Sequence, residues 1–110
     1  MTLSAADMAF VRDLFEDLPE LTTRRMFGAM GIYVAGTIFA VQLGDGRLLL
    51  KAGSPDFAER MSDLGGEEWI YTRKNGTQSA MPYWSMPEAF LDDPEQACAL
   101  ARDALDVLGA

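Results

Sequence analysis

The run Arg24-Arg25-Met26-Phe27-Gly28-Ala29-Met30-Gly31-Ile32-Tyr33-Val34, closed by Ala35-Gly36, limits the possible folds more than any other part of the chain. A period of two predicts one strand from Arg25 to Val34, with Met26, Gly28, Met30, Ile32 and Val34 on one face and Phe27, Ala29, Gly31 and Tyr33 on the other. Both faces are mostly apolar, so the strand should be covered on more than one side. Gly28 and Gly31 weaken such a strand unless a bulge or a close backbone neighbour uses the missing side chains. Ala35-Gly36 then reverses the chain into Thr37 to Leu43, and Gly44-Asp45-Gly46 reverses it again into Arg47 to Lys51, which predicts a three-stranded meander.

Helices are expected on either side of this block. Ser4 is a candidate N-cap, and Met8, Val11, Leu14, Phe15 and Leu18 recur at helical spacing until Pro19. Ser54-Pro55-Asp56 supplies a cap, a proline at the first helical position and an early acid for a short second helix carrying Phe57, Met61 and Leu64, stopped by Gly65-Gly66. Between Glu68 and Trp84, two strand-like runs flank Lys74-Asn75-Gly76-Thr77. Asn-Gly there predicts a hairpin with positive φ at both residues, and one register places Tyr71 opposite Ala80. Pro82 belongs at an edge or a bulge. Two capping boxes, Ser85 to Glu88 and Asp93 to Gln96, lead into a last helix whose stripe is Ala97, Leu100, Ala101, Ala104, Leu105 and Leu108. The expected order is α-β-β-β-α-β-β-α in a single α+β domain.

Reactive groups are scarce. The 110 residues contain no histidine and one cysteine, so His-dependent triads, histidine metal ligands and internal disulfides are excluded. Cys98 sits one position past the packing stripe of the last helix and reads as a buried structural thiol. Asp92-Asp93 is explained as a cap with a favourable dipole contact rather than a metal site, and Glu67-Glu68 as a solvated strand end. Gly44-Asp45-Gly46 lacks the lysine and hydroxyl of a phosphate loop and leads into a strand, so it is a hairpin turn. No catalytic residue, metal ligand or cofactor is expected.

Net charge is −8 at pH 7, which argues against a surface that grips a polyanion all round. The distribution is uneven. Residues 1–20 hold five acids against one arginine and residues 86–110 six acids against one, whereas Arg24, Arg25, Arg47, Lys51, Arg73 and Lys74 lie in or beside the strands. Trp69, Tyr71, Tyr83 and Trp84 in the hairpin are good sheet formers and partner anchors, and aromatics on a sheet can also stack on single-stranded bases. The seven methionines suit core packing or an adaptable apolar surface. No secretory signal or membrane-length apolar run is found, so a cytoplasmic, non-membrane protein is expected.

Five pieces of the chain resemble the TfoX/Sxy N-terminal domain family. They are Arg24 to Tyr33, Ile38-Phe39-Ala40, Leu48 to Lys51, Tyr83-Trp84, and Pro87 to Pro94. The resemblance spans nearly the whole chain and implies an antiparallel sheet backed by helices, an arrangement similar to that of secretion chaperones. It also implies kinship with regulators of natural competence that act on transcription with a partner activator and carry a further helical domain. It supplies no catalytic residues.

The resulting expectation is a non-enzymatic interaction module, homodimeric, that binds a protein partner through a surface containing Arg24, Arg25, Met26, Phe27, Gly28, Met30, Gly31, Tyr33, Lys51, Tyr83 and Trp84. Two alternatives stand beside it: nucleic-acid binding through a basic sheet side made by Arg24, Arg25, Arg47, Arg73 and Lys74, and chaperone-like holding of a client segment.

Overall fold

The computed structural model describes residues 4–26 and 28–109. Phe27, one of the expected surface residues, lies outside them. The described residues form a six-stranded antiparallel sheet, in the order β1-β2-β3-β4-β6-β5, with three helices. The α+β class and the antiparallel sheet backed by helices are as expected. One element of the order differs, because the apolar run from Arg25 to Val34 is two strands.

Strands β1 (Leu21–Met26) and β2 (Ala29–Val34) pair with Leu21 opposite Val34 and Met26 opposite Ala29. The chain reverses at Gly28, whose φ of 79° is open to glycine at little cost. Upstream, Leu21 and the β-branched Thr22 and Thr23 complete β1. A second reversal joins β2 to β3 (Thr37–Gln42) through Ala35 and Gly36 at φ 51° and 83°, the two left-handed residues of a type I′ turn. Ile32 faces Ala40 and Tyr33 faces Ile38, which leaves Phe39 as an extra residue in a bulge. The bulge lets consecutive residues Phe39 and Ala40 both enter the core, where Phe39 meets Phe15 edge to face at 5.3 Å.

β4 (Leu48–Lys51) follows a turn in which Leu43 N–H donates to Arg47 O at 2.8 Å and Gly46 N–H to Leu43 O at 2.9 Å. The turn between β5 (Glu68–Thr72) and β6 (Gln78–Ser85) is built the same way, with Arg73 N–H donating to Thr77 O at 2.8 Å and Gly76 N–H to Arg73 O at 2.9 Å. Each is a three-residue turn with glycine left-handed at its end, φ 94° at Gly46 and 89° at Gly76. This corrects the expected Asn-Gly turn. Asn75 keeps negative φ and its Oδ1 instead accepts from Thr77 N–H at 3.0 Å, as Asp45 Oδ1 accepts from Arg47 N–H at 3.0 Å. The hairpin register also moves by one, so Tyr71 lies opposite Ser79 and Ile70 opposite Ala80. Pro82 falls in the irregular stretch of β6 where Met81 to Tyr83 pass Trp69 alone.

Helix α1 (Ala5–Leu14) opens on a reciprocal cap between Ser4 and Asp7 and stops five residues before Pro19. Its last carbonyl, Leu14 O, accepts from Cys98 Sγ at 3.4 Å, while Phe15 and Leu18 stay buried in the irregular chain that follows. Helix α2 (Pro55–Asp63) is capped by Ser54 Oγ, which accepts from Phe57 N–H at 3.2 Å. Asp93 caps α3 (Pro94–Val107), accepting from Gln96 N–H at 3.2 Å. The other expected capping box does not form. Ser85 is the last residue of β6 and its Oγ accepts from Glu67 N–H at 2.9 Å, and Glu88–Phe90 make only a single 3₁₀ turn.

All three helices pack on one side of the sheet. The core joins Val11, Leu14 and Phe15 of the first helical segment, Phe57 and Met61 of α2, and the α3 stripe to Met30, Ile32, Phe39, Ala40, Leu48 and Leu50. Cys98 is buried among them, and burial pushes its thiol up from its ordinary value.

Candidate functional site

Among the described residues, the opposite side of the sheet carries no helix. Alternation along the paired strands puts Thr22, Arg24 and Met26 of β1, Ala29, Gly31 and Tyr33 of β2, Ile38 and Val41 of β3, and Leu49 and Lys51 of β4 on this open face. Tyr83 of β6 lies opposite Lys51 and stacks edge to face with Trp69 at 6.3 Å, which in turn meets Tyr71 at 6.2 Å. The sheet curls, so that residues at its two ends line one groove of about 550 Å³. Met26, Ala29, Ile38, Val41 and Leu43 form one wall, and Trp69, Tyr71 and Tyr83 the other. Leu49 and the wall residue Val41 are buried although no described helix covers them.

Glycine shapes this surface. A Cβ on Gly31 would stand 2.8 Å from Met26 Cε and 3.0 Å from Tyr33 Cε1, so the missing side chain lets the methionine end and the tyrosine ring lie flat on the strand. Burial pushes the Tyr83 phenol up from its ordinary value, and the Tyr33 phenol on the same face adds to the shift. Arg24 and Lys51 are the cations among the open-face strand residues, and neither is in an ion pair among the described residues. Glu68, the one carboxylate within the strands, lies opposite Trp84 and so belongs to the helix side.

Of the residues singled out from the sequence, Arg24, Met26, Gly31, Tyr33, Lys51 and Tyr83 share the open face. Gly28 sits at the β1–β2 turn, and Arg25, opposite Met30, faces the helix side. Met30 and Trp84 leave the set: Met30 is 1% exposed in the core, and Trp84, opposite Leu50, packs against that core from the helix side. Ala29, Ile38, Val41, Leu43 and Leu49 join the face without being among the expected surface residues, and Trp69 and Tyr71, expected as sheet formers and partner anchors, join it from the hairpin. Their alternation was visible, but the curl that brings both ends of the sheet over one groove depends on long-range pairing.

The cations of the alternative basic surface are dispersed. Arg24 and Arg25 occupy opposite faces of edge strand β1, Arg47 is tied to Asp45 at 2.9 Å in the β3–β4 turn, and Arg73 and Lys74 lie at the turn of β5, on the other edge. Among the described residues, no three His, Cys, Asp or Glu side chains are grouped to hold a metal ion, and no helix is long and apolar enough to cross a membrane.

No curated protein matches the sequence. The family model for the TfoX N-terminal domain matches residues 13–108, which take in the end of α1, the whole sheet, α2 and α3. The match therefore covers the open face together with the helix layer that supports it, and the chain belongs to the TfoX N-terminal domain family.

Proposed function

We propose that this domain is a non-catalytic regulatory module that holds a protein partner on the open face of its sheet. The observation that carries the reading is the one-sided architecture. Helices cover one face, while the other presents a groove of about 550 Å³ lined by Trp69, Tyr71 and Tyr83 together with Met26 and aliphatic side chains. Uncovered apolar clefts of this kind mark binding sites, and aromatic anchors with adaptable methionines suit protein partners. The non-catalytic part of the reading rests on the chain's lack of histidine and on the burial of its one thiol. Kinship with competence regulators supports a partner that acts in transcriptional control.

The test is affinity capture of the tagged protein from its own cell lysate, split into nuclease-treated and untreated halves. Ile38→Asp, which puts a charge in the groove wall, should lose a partner that wild type retains after nuclease, while Glu59→Lys on the exposed side of α2 keeps it. Partners that vanish with nuclease in the wild type move the assignment to nucleic acid.

A further inference from the structure

We propose that two copies of this chain join edge to edge through β5, as an antiparallel pair whose two-fold axis passes through Ile70. The two sheet edges are unlike. β1 carries Arg24 and Arg25 in succession, the usual guard against strand addition, whereas β5 reads Glu68-Trp69-Ile70-Tyr71-Thr72 with no proline, lysine or arginine. Ile70 is 44% exposed and Tyr71 49%, both large apolar side chains on a free edge.

The backbone is set for such a pairing. Arg73 N–H donates to Thr77 O and Glu67 O accepts from Ser85 N–H, so both residues turn their peptide groups inward to β6. Alternation between them turns residues 69 and 71 inward as well, and leaves the N–H and C=O of Glu68, Ile70 and Thr72 pointing outward. In the register centred on Ile70, outward residues meet outward residues: Ile70 meets Ile70, and Glu68 meets Thr72.

Side chains agree with this register. Trp69 of one copy lies beside Tyr71 of the other in the closer, non-hydrogen-bonded type of site, where aromatic pairs contribute most. Glu67 falls opposite Arg73, and neither is in an ion pair within the monomer among the described residues. Opposite charges therefore meet twice by symmetry, as an isologous interface requires. The product is one continuous sheet across two protomers, with the Trp69 and Tyr71 walls of the two grooves meeting at the axis.

Single cysteines read the register directly, because buried Cys98 leaves an introduced thiol as the accessible one. Ile70→Cys places two thiols on the axis with Cα atoms about 5.5 Å apart, within disulfide range. Thr72→Cys, equally exposed, leaves them roughly 14 Å apart. Under diamide, Ile70→Cys should give a covalent dimer and Thr72→Cys should stay monomeric. Equal trapping of both, or trapping of neither, overturns the register.

Sedimentation across a concentration series supplies the second arm. Wild type should self-associate, Glu67→Arg and Arg73→Glu should each weaken association at least tenfold, and the double swap should restore it. A wild type that stays monomeric throughout, or a double swap no better than the singles, overturns the proposal. Loss of the partner capture described above leaves this result untouched, since the pairing uses the outward backbone groups of β5 and the Glu67 and Arg73 side chains, whereas Ile38 acts from the β3 wall of the groove.

Discussion

At Ala35 the backbone is left-handed, φ 51°, in a residue whose Cβ makes that region cost about 1 kcal/mol. The type I′ turn favours asparagine at this position, and the side chain is exposed, so Ala35→Asn should stabilise the protein by about 0.5–1 kcal/mol in urea unfolding. Gly66 presents the opposite case. A Cβ there would stand 2.7 Å from Ser85 O and 3.0 Å from Met61 O, both backbone atoms that cannot swing aside. Gly66→Ala should therefore cost about 2–3 kcal/mol by prising α2 from β6. Gly31→Ala meets only the end of Met26 and the Tyr33 ring, so its stability cost should stay below about 1 kcal/mol while the open face is remodelled. Urea titration of the two alanine variants side by side separates a glycine required by backbone packing from one that shapes a surface; equal losses contradict that division.

Strand β2 divides the molecule's two roles residue by residue. Met30 points into the helix-packed core and is 1% exposed, while Tyr33 lies on the open face. Met30→Asp loses the buried side chain, worth about 2–5 kcal/mol, and adds an unpaired buried charge, which together rival the whole stability of a domain this size. It should unfold the protein at room temperature by circular dichroism, whereas Tyr33→Asp should keep a cooperative melt within a few degrees of wild type. Similar losses in both variants contradict the two-face assignment. Much of this was legible in the amino-acid sequence: the caps at Ser4, Ser54 and Asp93, the α3 stripe, and the alternation that sets Met30 apart from Tyr33 are all local. What was not legible depended on partners distant in sequence. A turn glycine such as Gly28 and a regularly paired strand glycine such as Gly31 look alike in a continuous apolar run, and only the pairing of β1 with β2 separates them. Ser85 met a cap pattern, yet Glu67 N–H claimed its hydroxyl from another strand. Trp84 matched the family motif beside Tyr83, but neighbouring strand residues face opposite sides, so the motif straddles core and groove.

On the scale of the whole molecule, titration of buried groups sets the shape of stability against pH. Asp45, the one carboxylate with a clear shift among the described residues, is lowered chiefly by the Arg47 backbone N–H and lies exposed in a turn, so it gives a weak acid limb. It contributes above its ordinary value of 3.8 and fades as pH falls below it. The alkaline limb is different. The Cys98 thiol and the Tyr83 phenol are both raised by burial, from ordinary values of 9.0 and 10.0. As pH climbs past the ordinary thiol value, the unfolded chain releases its proton while the folded chain holds it. The unfolded state then binds fewer protons, and stability falls as pH rises. Tyr83 repeats this about one pH unit higher, and the growing negative charge adds self-repulsion to a chain already at −8 at pH 7. Urea midpoints measured from about pH 7 to about pH 11 should hold level and then decline in two stages. Cys98→Ala should be less stable at neutral pH, having lost a buried sulfur and its contact with Leu14 O, yet should decline later than wild type because no thiol remains to ionise. Tyr83→Phe should keep the first stage and flatten the second. A Cys98→Ala profile parallel to wild type throughout would mean that the α1–α3 junction admits water to the sulfur, and would contradict the closed helix layer on which the open face depends.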